Sequence, residues 1–146
     1  MFVVHVAAPP VHCPTDIVFV LDESGSIGST NFELTKSFLS QIVSRLDIDN
    51  GNTRVSLVTF STHVGFSLDL NTHVTVRAVQ AAISSLRYTG GGTDTAAALA
   101  YVRTTILTSS AGDRRDVPNV VVVLTDGHSG DPSATLVCSK AVMLMM

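Results

Sequence analysis

Three short apolar runs, each rich in β-branched residues, constrain this chain more than any other feature. They are Thr15–Leu21 (TDIVFVL), Arg54–Phe60 (RVSLVTF) and Val117–Thr125 (VPNVVVVLT). Short continuous runs of this kind suit strands buried on both faces, in a sheet covered by helices. Between the first two lies a helical pattern. Leu34, Phe38, Ile42 and Leu46 recur every four residues, flanked by Leu39 and Val43, which predicts an apolar helix face over about 31–46. Thr30, with Glu33 three residues on, resembles a capping box at its start. Asp49-Asn50-Gly51-Asn52 ends it. A connection of that length permits a parallel crossover.

Ser61-Thr62-His63 is too short for a crossover, so the next run must return antiparallel. It alternates Val64, Phe66, Leu68 and Leu70 and reads as an edge strand. Val76, Val79, Ile83 and Leu86 mark a second helix. Gly90-Gly91-Gly92 interrupts the chain, and Ala98, Leu99, Val102 and Ile106 mark a third helix starting near Asp94. Pro132 suits the first turn of a final helix. The order β-α-β-β-α-α-β-α predicts an open, mostly parallel, doubly wound α/β sheet with one antiparallel edge strand.

Composition fits that architecture. Of 146 residues 45% are hydrophobic and 14% charged, against about a quarter charged in an average soluble domain. The length is that of one domain. A net charge of -3 and 5% aromatic residues leave no basic stripe and little stacking surface, which argues against nucleic acid. No run approaches the ~20 apolar residues of a membrane span. Met1 to Pro10 lacks basic residues and a clear small-residue cleavage site, so it reads as a poor signal peptide. Cys13 and Cys138 read either as two thiols or as a bridge, and spacing does not choose between them.

Open α/β sheets bind ligands at the carboxyl ends of their strands. Asp22 follows the first strand and Asp126 the last. If those strands are neighbours, two carboxylates converge, and they must share a proton or hold a cation. Ser24 and Ser26 lie beside Asp22, and Thr93 follows three glycines. Hydroxyls favour the cation, because they add hard oxygen ligands without more negative charge. Mg²⁺ wants about six oxygens and keeps several waters; Mn²⁺ accepts the same set. No Cys or His pair has zinc-like spacing.

Asp22-Glu23-Ser24-Gly25-Ser26 resembles the D-x-S-x-S motif of the von Willebrand factor A family. Thr93, in Gly91-Gly92-Thr93-Asp94-Thr95, resembles its metal-site threonine, and Asp126, in Leu124-Thr125-Asp126-Gly127, its second aspartate. The three parts occur in the family's order, and the resemblance covers roughly 13–132. Cys13 to Phe19 looks most like A domains of extracellular matrix proteins, of the collagen and matrilin type. The resemblance implies a metal-ion-dependent adhesion site. Asp22, Ser24, Ser26, Thr93 and Asp126 would hold Mg²⁺ or Mn²⁺ directly or through water, and a partner's Glu or Asp would fill the open position. It also implies a secreted, non-enzymatic adhesion module of the matrix, with collagen, another matrix protein or a cell-surface receptor as partner.

Other residues have plainer readings. Glu23 reads as a solvated loop residue or as one that tunes the site's field, Asp94 as a helix cap or as a charge near the metal, and His5, His12, His63 and His73 as surface residues. His128 reads either as a surface residue or as part of the binding rim. The triple glycine lacks the Lys-Ser/Thr of a P-loop. Residues 112–116 read as a charged loop. The family's last two strands and closing helix are not matched: residues 1–12 read as an extension, 13–146 as an incomplete domain, and 137–146 as a divergent apolar tail. A family cysteine pairing for Cys13 and helix-driven switching are therefore not expected. Two other functions remain in view: an intracellular A-domain scaffold, and a Mg²⁺-dependent phosphoryl-transfer enzyme. Against the enzyme, Asp22-Glu23-Ser24 lacks the second aspartate of a D-x-D motif.

Overall fold

The computed structural model describes residues 13–126 and 130. The first apolar run becomes β1 (Thr15–Asp22), the second β2 (Thr53–Phe60) and the last β4 (Asn119–Leu124). The alternating run becomes β3 (Val64–Leu68). The strand order is β3-β2-β1-β4. β1 runs parallel to both β2 and β4, and β3 closes one edge antiparallel to β2. This is the mostly parallel sheet with one antiparallel edge that the run lengths predict. The central β1 is buried on both faces, which is why it reads as an unbroken apolar run.

Alternate residues serve different layers. Phe19, Leu21, Val55 and Leu57 pack with Phe32, Leu39, Val43, Val79 and Ile83, from helices α1 (Gly28–Val43) and α2 (Val76–Ser85). Val18, Val20, Val58 and Phe60 pack with Ala98, Leu99, Val102 and Ile106 on the opposite face. Those last four come from α3 (Thr95–Tyr101) and a π-helical turn, Val102–Ile106, that extends it. Each fully buried Val, Leu, Ile or Phe contributes roughly 1.5–3 kcal/mol, so the two layers dominate stability.

Two expectations for α1 are corrected. The helix begins at Gly28 with Ile27 in the cap position and no side-chain cap bond. Thr30 therefore lies inside it, and Glu33 pairs with Lys36 at 3.0 Å instead of completing a capping box. The stripe Leu34–Phe38 does not face the core either: Leu34 is 63% and Phe38 54% exposed. The buried residues are Phe32, Leu39 and Val43, with Ile42 and Leu46 packed partly against them. Two overlapping stripes compete in this helix, and contacts with α2 and the segment after it favour the one holding Phe32. Phe32 meets Tyr88 with ring centroids 5.9 Å apart, and Lys36 Nζ donates to the Leu86 carbonyl at 2.9 Å.

The other two helices are capped by polar side chains. Thr75 caps α2 by accepting from Ala78 N at 3.2 Å. Asp94 caps α3 by accepting from Ala97 N at 2.9 Å. At the amino end of β1, the charged loop 112–116 proves to be a clasp. Arg114 donates to fully buried Asp16 through Nε at 2.8 Å and a terminal nitrogen at 2.6 Å. The same guanidinium donates to the carbonyls of Gly51 and Asn52, tying three segments together. Residues 1–12, His128, the helix expected after Pro132, Cys138 and the tail 137–146 lie outside the described residues. Cys13 is exposed and free of a disulfide among the described residues.

Candidate functional site

The carboxyl edge of β1 and β4 gathers three loops. The register that pairs Leu21 with Leu124 sets Asp22 beside Thr125. Thr125 Oγ1 donates to Asp22 Oδ2 at 2.7 Å, and Ser24 N donates to Oδ1 at 2.8 Å. Asp22 is only 2% exposed, and no lysine or arginine pairs with it among the described residues. The Ser24 amide and the Thr125 hydroxyl that meet it are neutral donors. Ser24 Oγ and Ser26 Oγ stand 3.2 Å apart. Adjacent corners of a Mg²⁺ octahedron with bonds of 2.0–2.1 Å lie about 2.9 Å apart, so this hydrogen-bonded hydroxyl pair would need to close only slightly to serve as two ligands on one cation.

The glycine-rich loop is stitched to this one. Gly25 N donates to the Gly91 carbonyl at 2.9 Å, and Tyr88 OH to the Ser24 carbonyl at 3.1 Å. Gly91 sits at φ +109°, a conformation that suits glycine. Gly92 N donates to Thr62 Oγ1 at 2.8 Å and Asp94 N to the Ser61 carbonyl at 2.7 Å. Gly130 N donates to the Thr93 carbonyl at 2.8 Å, linking the third loop to the second. Asp22, Ser24 and Ser26 thus lie on one loop, with the two serine hydroxyls in contact. Thr93, half-buried, and Asp126, exposed just past β4, sit on the two loops that border it. Asp126 also lines a cleft of about 490 Å³ with Ile27, Thr35, Val123 and Leu124. No group of three or more His, Cys, Asp or Glu side chains gathers among the described residues. A cation here would depend on hydroxyl oxygens, which suits a hard ion.

Glu23 corrects the solvated-loop expectation. It is 2% exposed, with Thr89 Oγ1 donating to Oε1 at 2.9 Å. Burial pushes its carboxyl above the ordinary glutamate value; hydrogen bonds from Thr89 and Thr59 oppose the rise, and the charge of Asp22 adds to it. Gly65 makes the room: a Cβ there would come within 2.7 Å of Glu23 Oε1 and of Thr59 Oγ1. Sequence reasoning passed over Thr125, Thr89, Thr59 and Gly65. Thr125, immediately before Asp126, carried the one available signal: a hydroxyl at the end of a strand neighbouring Asp22. His63 is exposed as expected, and His73 is half-buried.

The family model for the von Willebrand factor type A domain matches residues 16–143. This chain belongs to that family. It is 41% identical over 120 residues to the collagen alpha-4(VI) chain of Mus musculus, covering 81% of this chain and 5% of that protein. It is 40% identical over 117 residues to matrilin-1 of Homo sapiens, covering 80% of this chain and 24% of that protein. The von Willebrand factor A fold is also that of proximal thread matrix protein 1 from the mussel byssus. That structure superposes with a TM-score of 0.83 at 22% identity, covering 91% of this chain and 37% of that one. A further structure of the mussel protein, described as having a zinc-occupied MIDAS motif, has a TM-score of 0.79, also at 22% identity, and covers 91% of this chain and 37% of that one. The chain spans a quarter or less of these two curated relatives. No helix among the described residues is long and apolar enough to cross a membrane.

Proposed function

We propose that this von Willebrand factor A domain is a non-enzymatic, secreted protein-binding module of the extracellular matrix. Asp22, Ser24, Ser26, Thr93 and Asp126 would hold Mg²⁺ or Mn²⁺. When bound, the cation would supply a Lewis-acid position for a partner's carboxylate. The partner is a matrix protein such as collagen, or a cell-surface receptor. The observation that carries this reading is the buried Asp22 carboxylate, met by neutral donors and set beside two hydroxyls 3.2 Å apart. A buried charge of that kind calls for a cation. The kinship with collagen and matrilin chains supports the matrix setting.

The chain's own residues have separate tasks. The Asx-type bond from Ser24 N to Asp22 shapes the loop that carries both serine hydroxyls. The Gly25–Gly91 and Thr93–Gly130 bonds tie the loop that carries Thr93 to the loops on either side of it. Thermal melting of the purified chain in EDTA, Mg²⁺, Mn²⁺ and Zn²⁺ tests the reading, with Asp22→Ala as control. A cation at a hundred times its Kd adds about 2.7 kcal/mol to stability. The wild type is expected to melt higher with Mg²⁺ or Mn²⁺ and the variant not to respond. A cooperative melt indifferent to every cation would sink the proposal.

A further inference from the structure

Behind the metal loop, a cleft of about 340 Å³ opens between the β2–β3 hairpin and the segment after α2. Glu23 lies at its base, and Phe66 and Leu86 form its apolar wall. We propose that this cleft receives a basic side chain, lysine or arginine, from a protein partner.

Three observations carry the assignment. First, no lysine or arginine is ion-paired to the Glu23 carboxylate among the described residues, and its bonds come from the hydroxyls of Thr89 and Thr59. A carboxylate offers about four acceptor positions, so acceptor capacity remains, and a charge-assisted bond is the stronger kind. Second, the wall suits the rest of a basic side chain. Phe66 is 39% exposed beside buried Leu86. An aliphatic stem packs on such a wall, and an aromatic face attracts the cation at its end. Third, any side chain at position 65 would crowd the carboxylate, since its Cβ would stand 2.7 Å from Oε1. Arg87 lines the same cleft yet is exposed and forms no ion pair with Glu23. It is the natural competitor for the site.

The cleft does not use the cation of the preceding reading, so it is tested in EDTA, where that reading plays no part. The ¹⁵N-labelled chain is titrated with n-butylammonium and with 1-butanol, the neutral counterpart, while amide shifts are followed. Saturable shifts at Glu23, Gly65, Phe66 and Thr89 are expected with the ammonium, with about tenfold weaker binding of the alcohol. Glu23→Gln should weaken the ammonium about tenfold. Equal binding of both probes overturns the proposal, and so does an unchanged affinity in Glu23→Gln. Ammonium binding seen only in Arg87→Gln also overturns it, because Arg87 would then be the occupant. Should Glu23→Gln fail to fold, the comparison of the two probes on the wild type decides.

Discussion

β1 carries a buried aspartate at each end, and the two are treated in opposite ways. Asp16, at the amino end, meets a guanidinium that also clasps three backbone carbonyls. Asp22, at the carboxyl end, meets a backbone amide and a threonine hydroxyl. Both are almost inaccessible, at 0% and 2% exposed. One end of the strand is neutralised by the protein itself and is structural. The other leaves its charge uncompensated by any lysine or arginine among the described residues. The chain is able to close such a site, so the open one reads as a place kept for something from outside.

The largest way to break this contrast is Arg114→Met. Removing one partner of a buried pair costs about 3–5 kcal/mol, and Arg114 is 20% exposed, which favours the lower end. Urea denaturation should show that loss. A sharper test exchanges the two aspartates for asparagine. Asp16→Asn should lower stability by about 2 kcal/mol yet leave the full response to Mg²⁺. Asp22→Asn removes a buried charge that no cation offsets in EDTA, so it should cost less there than Asp16→Asn, and it should abolish the Mg²⁺ response. Equal behaviour of the two variants would erase the distinction.

The smallest effect concerns Glu23, the neighbour of Asp22 on the open side. Its folded-state pKa is raised, chiefly by burial. Its contribution to stability is therefore full below the unfolded value and is lost as pH rises through the folded one. Melting curves across that window should show the wild type weakening with rising pH and Glu23→Gln weakening less. A parallel pH profile for the two proteins would contradict the burial of this carboxyl.

The strands were legible because burial on both faces leaves an unbroken apolar run, as in Val18 to Leu21. Short connections settled the direction of β3. Asp22, Ser24 and Ser26 were legible for a different reason: they are close in sequence, so one loop brings them together. The α1 stripe was misread because Leu34–Phe38 and Phe32–Leu39–Val43 are both helical patterns, and non-local contacts, with the sheet, α2, Leu86 and Tyr88, decide between them. Glu23 was misread because its cover comes from Thr59, Gly65 and Thr89, none of them local. The Asp16–Arg114 clasp joins residues 98 apart and leaves no periodic trace.

The bond from Thr125 to Asp22 spans 103 positions, between the ends of β1 and β4. During synthesis, at about 5–20 residues per second, Asp22 waits on the order of ten seconds for that neighbour. The β2–β3 hairpin, closed by three residues, needs only about 1–10 μs. The centre of the sheet is thus begun early and completed late, and the proposed cation site waits for β4. A ligand that recognises only the finished edge acts after the folding barrier. Mg²⁺ should then leave the refolding rate nearly unchanged and slow unfolding, so that the ion works as a latch on a finished fold and not as a template for making it.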